Sequence, residues 1–277
     1  MTRCRESALA EPLAGSAPLA RWWWLVEVPG AWGARALEDC RIAAVRSLRS
    51  SDERRVLLVR TRGRHPAADP GAPLRVWFAG ALPGDPAPRM AIVEDHDELL
   101  AWPASGPPPE RAAADPHAPR LVVCANSARD LCCGLDGRAL VQGLDDDRAW
   151  ECSHVGGHRF APTALLVGEG LVYGRLDVAA ARSLLDDGPT PRTAAYLRGR
   201  SALTPAAQAA EASLMARGIQ PDPATVQVEP SGHDVITVSF TGAPPIDLQL
   251  IPGPEPRPAS CGAEAEPWSA WNVVQES

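Results

Sequence analysis

Cys152-Ser-His-Val-Gly-Gly-His158 sets two histidines four residues apart around a pair of glycines. On a helix this spacing would put both imidazoles on one face, as in the zinc hydrolases that carry H-E-x-x-H. The glutamate of that motif is absent here, and two consecutive glycines cost a helix about 1 kcal/mol each. The stretch therefore reads as a loop, with Gly156 and Gly157 letting the backbone curl tightly and turn successive N–H groups toward an anionic centre.

The segments around it read as an α/β unit. Arg120–Cys124 is a short apolar run of the kind found in buried strands, and Gly137–Leu144 is helical in its spacing. Trp150–His154 leads into the quoted stretch, and Thr163–Val167 and Leu171–Leu176 follow as a hairpin split by Gly168-Glu-Gly170. Asp177 then caps an amphipathic helix that runs to Leu185. The order over residues 120–192 is β-α-β-β-β-α, with the cysteines and histidines in its loops.

Residues 1–102 give a related order. Trp22–Val28 is strand-like and ends at Pro29-Gly30; Leu37–Leu48 has helical spacing; Val56–Arg60, Leu74–Gly80 and Met90–Glu94 are strand-like. This β-α-β-β-β pattern suits a small α/β layer domain. Residues 103–119 are proline-rich and read as an extended linker. Residues 193–277 read as an α+β extension, with a helix over Thr204–Arg217 stopped by Gly218. Strands follow at Thr225–Glu229, Val235–Phe240 and Ile246–Ile251. No repeat shows as a fixed period, yet the similar order leaves room for two halves of like fold.

Composition narrows the classes of function. With 45% apolar residues and no run approaching a membrane span, a globular protein without a membrane partner is expected. All 27 basic residues are arginine, a bias to which no function is attached. A net charge of -7 with no basic stripe argues against nucleic-acid binding. The first residues, Met1–Gly15, lack the apolar core of an export signal, so a cytoplasmic address is expected. Seven cysteines, an odd number, are then better read as metal-binding or redox groups than as a disulfide scaffold.

Cys124 closes the apolar run, and Cys132-Cys133 follow eight residues on. One of that pair with Cys124, His154 and His158 makes two thiolates and two imidazoles, a set that ligand softness assigns to zinc or an iron–sulfur cluster. Spacing does not choose between them. Ser153, the amides of Gly156 and Gly157, and Arg159 stand where they can tune a bound centre, and Arg129 and Asp130 where they can fix the loop between the cysteines. Cys152 is read as structural, and so are Cys4, Cys40 and Cys261, which are isolated in the sequence. His65, His96, His117 and His233 lie in polar or proline-rich surroundings and read as exposed. Trp22, Trp23 and Trp24 cannot all share one strand face.

Three blocks carry a family resemblance. Val122–Gly137 (VVCANSARDLCCGLDG), Trp150–Val167 (WECSHVGGHRFAPTALLV) and Leu171–Leu176 (LVYGRL) resemble the sucrase/ferredoxin-like proteins, relatives of thioredoxin-like [2Fe–2S] ferredoxins. Arg21–Gly33 (RWWWLVEVPGAWG) is similar to the family's opening strand and turn, and the tail around Cys261-Gly262 and Trp271 is similar more loosely. The resemblance implies an α/β protein of two small domains. The second would be thioredoxin-like, the first a cluster-free domain of the same architecture. In thioredoxin-like ferredoxins two separated cysteines and a C-x3-C pair hold the cluster, and here H-x3-H stands where that pair would be. The resemblance thus implies that Cys124 and Cys133 hold the inner iron of a [2Fe–2S] cluster, and His154 and His158 the outer one. Cys133, followed by Gly134, matches the family's ligand better than Cys132.

Replacing two thiolates by neutral imidazoles makes a cluster less negative and easier to reduce. Rieske centres, with the same ligand set, lie at about -150 to +300 mV, against about -400 mV for plant-type ferredoxins. A second imidazole proton makes the potential pH-dependent. An electron carrier is expected, served by a redox partner protein or a small reductant, since no G-x-G-x-x-G nicotinamide fingerprint is present. The alternatives are a zinc-stabilised interaction module using the same four residues, and a thiol enzyme acting through Cys132 and Cys133. No C-x-x-C motif supports the latter. No carboxylate pattern points to glycoside hydrolysis.

Overall fold

The computed structural model describes residues 3–63, 65–232 and 234–276. In the first half, β1 (Trp22–Glu27) pairs in parallel with β2 (Arg54–Arg60) and antiparallel with β3 (Leu74–Gly80). Next come β4 (Arg89–Val93) and a short β5 (Ala113–Ala114). β1 is apolar at nearly every position because both its faces are covered. Trp23 and Leu25 face one core and Trp24 and Val26 the other, so the tryptophan run divides between two faces. Trp23 Nε1 donates to Ser201 Oγ at 2.9 Å and Trp24 Nε1 to the Ala104 carbonyl at 2.7 Å, which leaves no buried indole N–H unpaired.

The second half repeats the arrangement. β6 (Leu121–Cys124) is parallel to β7 (Ala149–Cys152) and antiparallel to β8 (Ala164–Leu166), and β9 (Leu171–Tyr173) pairs with β8. β10 (Leu197–Arg200) extends this side. The halves join through β2 and β7, which run antiparallel with Val59 opposite Cys152, giving one ten-stranded mixed sheet in the order β10-β9-β8-β6-β7-β2-β1-β3-β4-β5. Arg60 donates twice to Glu151 at this junction, and Trp77 meets Trp150 edge to face at 5.2 Å. A buried ion pair of this kind fixes register more surely than it adds stability.

Among the described residues the α-helices that accompany the strands are α1 (Cys4–Ser7), α2 (Ala43–Ser47), α3 (Glu98–Ala101), α4 (Arg138–Leu144), α5 (Val178–Asp186), α6 (Pro191–Ala194) and α7 (Pro205–Ala216). The predicted cap of α5 is present, with Asp177 accepting from Ala180 N at 2.7 Å. α7 begins with Thr204 as cap and Pro205 at its first turn, and its alanine face is buried. The helix expected over 37–48 forms only at α2. Asp39 instead accepts from Arg35 N at 2.9 Å, and this local bond holds the preceding residues in turns.

The proline-rich stretch 103–119, read above as a linker, is held against the sheet. Its carbonyls accept from Trp24 and Arg89, and β5 pairs with β4. The Trp24 indole takes the Ala104 carbonyl and the Arg89 guanidinium those of Ser105 and Pro107. The strands before 102 and after 119 belong to one continuous sheet. Beyond α7 a four-stranded antiparallel sheet forms from β11 (Gln227–Pro230), β12 (Val235–Ser239), β13 (Ile246–Pro252) and β16 (Ser269–Glu276), with β14 (Arg257–Pro258) and β15 (Ala265–Glu266) as a separate pair.

Candidate metal centre

Parallel pairing sets Cys124 beside Cys152, so β6 and β7 release their chains at the same end of the sheet. After β6 the backbone turns back, and Asp130 fixes the turn: its Oδ1 accepts from Cys132 N at 2.8 Å and Cys133 N at 3.4 Å. The chain then makes one wide π-helical turn over Cys133–Gly137 before α4. A side chain at Gly137 would overlap the Cys124 carbonyl oxygen, and one at Gly134 would overlap Ser127. These two glycines let the turn lie hard against the end of β6, which brings Cys133 over Cys124.

After β7, Ser153 clamps the loop to the other half of the sheet, exchanging N–H and Oγ hydrogen bonds with Leu58 at 2.9 and 3.1 Å. The stretch 153–157 is a loop, as its glycines require, with Gly156 and Gly157 at φ of 103° and 72°. A side chain at Gly157 would strike the Arg198 guanidinium. Arg198 itself is buried, donates to the Gly156 carbonyl at 2.7 Å and to Ser16, and lies over the Phe160 ring. A short 3₁₀ turn then begins at His158. The outcome is that the His154 and His158 rings stack at 4.3 Å and 20°.

One ligand atom each of Cys124, His154 and His158 lies within 4.8 Å of the others, and Cys133 Sγ is 3.2 Å from His158 Nδ1. The sheet end thus gathers all four residues expected to act together. Cys124, Cys133 and His158 are buried, whereas His154 is half-buried. His154 Nδ1 is buried without a hydrogen-bond partner. Hydrogen bonding from Cys133 overrides burial and, with the charge of His154, pulls the Cys124 thiol well below its ordinary value. Cys133 in turn is pushed up by that bond and by burial. Burial, with the neighbouring His154, moves His158 down to about 4, so at neutral pH it offers a neutral nitrogen. One thiolate and a neutral imidazole are the forms in which these side chains bind metals.

Of the neighbours expected to assist, Asp130 and Ser153 act on the loops as described. Arg129 is exposed and rims a cleft of about 260 Å³ with His154, Arg35 and Arg55. The Arg159 guanidinium takes Glu11 at 2.8 Å in a pair that Arg257 shares. Burial alone would raise the Glu11 carboxyl, but the two guanidiniums hold it below its ordinary value. Cys152 is buried in the core beside Cys124, as its structural reading requires.

Cys132 points the opposite way from Cys133. Its sulfur is 3.6 Å from Cys4 Sγ and 3.4 Å from Cys261 Sγ, and Cys261 is 3.5 Å from Cys4. Cys4 and Cys261 are therefore not isolated, a correction that no spacing rule could supply across the length of the chain. Arg198 and Glu11 were also missed, since a lone charged residue carries no sign of its burial. His65 and His96 are half-buried, each with a ring nitrogen 2.9 Å from a backbone carbonyl, while His233 lies outside the described residues.

A mixed α/β chain that gathers thiols and imidazoles at the ends of two parallel strands is a protein able to bind a metal at a Cys/His site. Residues 13–199, more than half of the chain, match the sucrase/ferredoxin-like family, and the protein belongs to it. No curated protein and no solved structure matches the chain. Among the described residues no helix is long and apolar enough to cross a membrane.

Proposed function

We propose that the protein is a [2Fe–2S] electron carrier in which Cys124 and Cys133 hold one iron and His154 and His158 the other. The observation that carries this reading is the convergence of two buried thiols and two stacked imidazoles on one sheet end, in a chain of a ferredoxin-like family. The residues fit the group: the donors are soft, one thiol is already biased toward thiolate, and His154 Nδ1 lacks any other partner. The repeated strand order in each half supports the thioredoxin-like reading of both.

When bound, such a cluster supplies one-electron transfer. The chain's own part is to set the potential and the route. Cys124 and Cys133, walled in by Val155, Trp150 and Leu165, keep water from the inner side. His154, half-buried at the cleft with Arg55, Arg129 and the Arg35–Glu38 ion pair, is the ligand nearest to solvent and to a redox partner or small reductant. Each imidazole keeps a second ring nitrogen whose proton is released more readily when the ring binds an oxidised centre. The potential then falls as pH rises. Redox titration between pH 6 and 9 is expected to give a potential above about -400 mV that declines with pH; a flat profile contradicts the imidazole ligation.

One observation favours a second reading. Ligand atoms of Cys124, His154 and His158 within 4.8 Å of one another suit a single zinc, with Cys133 beside His158, which would make the site a structural module with no redox role. A colourless protein holding zinc at these four residues would establish that reading instead.

A further inference from the structure

The three remaining sulfurs around Asp130 form a second constellation. We propose that Cys4, Cys132 and Cys261, with Asp130 as fourth ligand, bind one zinc ion that ties both ends of the chain to the turn carrying Cys133.

The geometry is that of a tetrahedral face. The three Sγ···Sγ separations are 3.4, 3.5 and 3.6 Å. A zinc bound at about 2.3 Å from each sulfur needs edges of roughly 3.8 Å, so the triangle has only to open by a few tenths of an ångström. The fourth corner is present too. Asp130 Oδ2 lies 3.8 Å from Cys4 Sγ, and one atom of each of the four residues falls within 4.8 Å of the others. That oxygen also accepts from Cys261 N at 2.8 Å, which aims the carboxylate at the sulfurs while leaving it a lone pair.

Burial and charge fit a closed, structural site. Cys4 and Cys132 are fully buried, Asp130 nearly so and Cys261 partly. Three buried thiols packed against one another and a carboxylate satisfy few hydrogen bonds, whereas a divalent ion satisfies all four groups at once. Cations and donors stand behind the ligands. Arg3 and Arg5 both pair with Asp136 on the same turn, which keeps two guanidiniums beside the sulfurs. An odd number of thiols argues against a disulfide, which would leave one sulfur buried and unpaired. Cys4 and Cys261 both lie outside the residues that match the family, so this site belongs to the chain's own ends.

The site meets the Cys124 centre at Asp130, which also lies within 4.8 Å of Cys133 and His158, but their sulfur and imidazole ligands differ and let the two be separated. Full-length protein, produced with iron and zinc supplied and purified without oxygen, is assayed for both metals by mass spectrometry. About one zinc per chain is expected at this site. Cys4→Ser and Cys261→Ser should lose it while keeping the iron and the visible absorption; Cys124→Ser should do the reverse. Zinc-edge X-ray absorption on the unaltered protein should show three sulfur neighbours and one oxygen, and this stands even where a variant fails to fold. Zinc without iron, with half of it lost in Cys261→Ser, would support this site and overturn the [2Fe–2S] reading. Zinc retained in both serine variants, iron in place of zinc, no zinc at all, or a disulfide among the three cysteines would overturn the proposal.

Discussion

Adjacent cysteines on one turn serve two different groups. Cys133 faces the ends of β6 and β7, where it meets Cys124 and the two histidines; Cys132 faces the chain's ends, where it meets Cys4 and Cys261. The first group mixes sulfur with nitrogen and has one half-buried member at the edge of a cleft. The second is sulfur and carboxylate, and largely closed. Under the two proposals, the contrast is between a centre for electron exchange and one that holds the fold. Imidazoles bring protons and a path to solvent, whereas a closed thiolate set brings neither.

The largest effect that would sharpen this contrast is loss of the redox centre alone. Cys124→Ala or Cys133→Ala is expected to abolish visible absorption and remove essentially all the iron, with zinc content unchanged; loss of both metals together would break the separation. Exchanging a histidine comes next. His154→Cys and His158→Cys should retain a cluster but lower its potential by on the order of 100 mV or more, with a weaker pH dependence, as potentiometry would show.

Smaller effects test the scaffold. Arg198→Met leaves the carbonyls of Gly156 and Ser16 without their donor, and should destabilise by about 2–4 kcal/mol in denaturant titration while loosening the histidine loop. Glu11→Gln weakens the buried bridge between Arg159 and Arg257 and should cost about 1–3 kcal/mol at neutral pH. Because Glu11 is held below its ordinary value, its contribution is complete above about pH 4.3 and is lost as pH falls through the lowered folded value. Melting curves should therefore show the unaltered protein losing its advantage over Glu11→Gln in acid. An equal gap at every pH would show that the carboxylate charge is not what matters there.

Much of the architecture was legible because it rests on short-range signals. The WWWLVE run reads as a doubly covered strand, Asp177 as a cap, and Gly156-Gly157 as a loop, and each is found so. The α/β class followed from their order. Joining of the halves was not legible, since the β2–β7 pairing depends on two strands some ninety residues apart whose apolar faces fit many partners. The same limit hid the second sulfur group. Cys4 and Cys261 carry no motif, and only the folding of both chain ends onto the 130–137 turn brings them to Cys132. That Cys124, Cys133, His154 and His158 meet was expected from the family resemblance of two compact blocks, and the structure brings them to one sheet end.

The most direct test of the central claim is a visible absorption spectrum of protein purified without oxygen, with iron and acid-labile sulfide counted on the same sample. Charge-transfer bands that bleach on dithionite, with about two irons and two sulfides per chain, are the predicted result. A colourless protein, still colourless after anaerobic reconstitution with iron and sulfide, would contradict it.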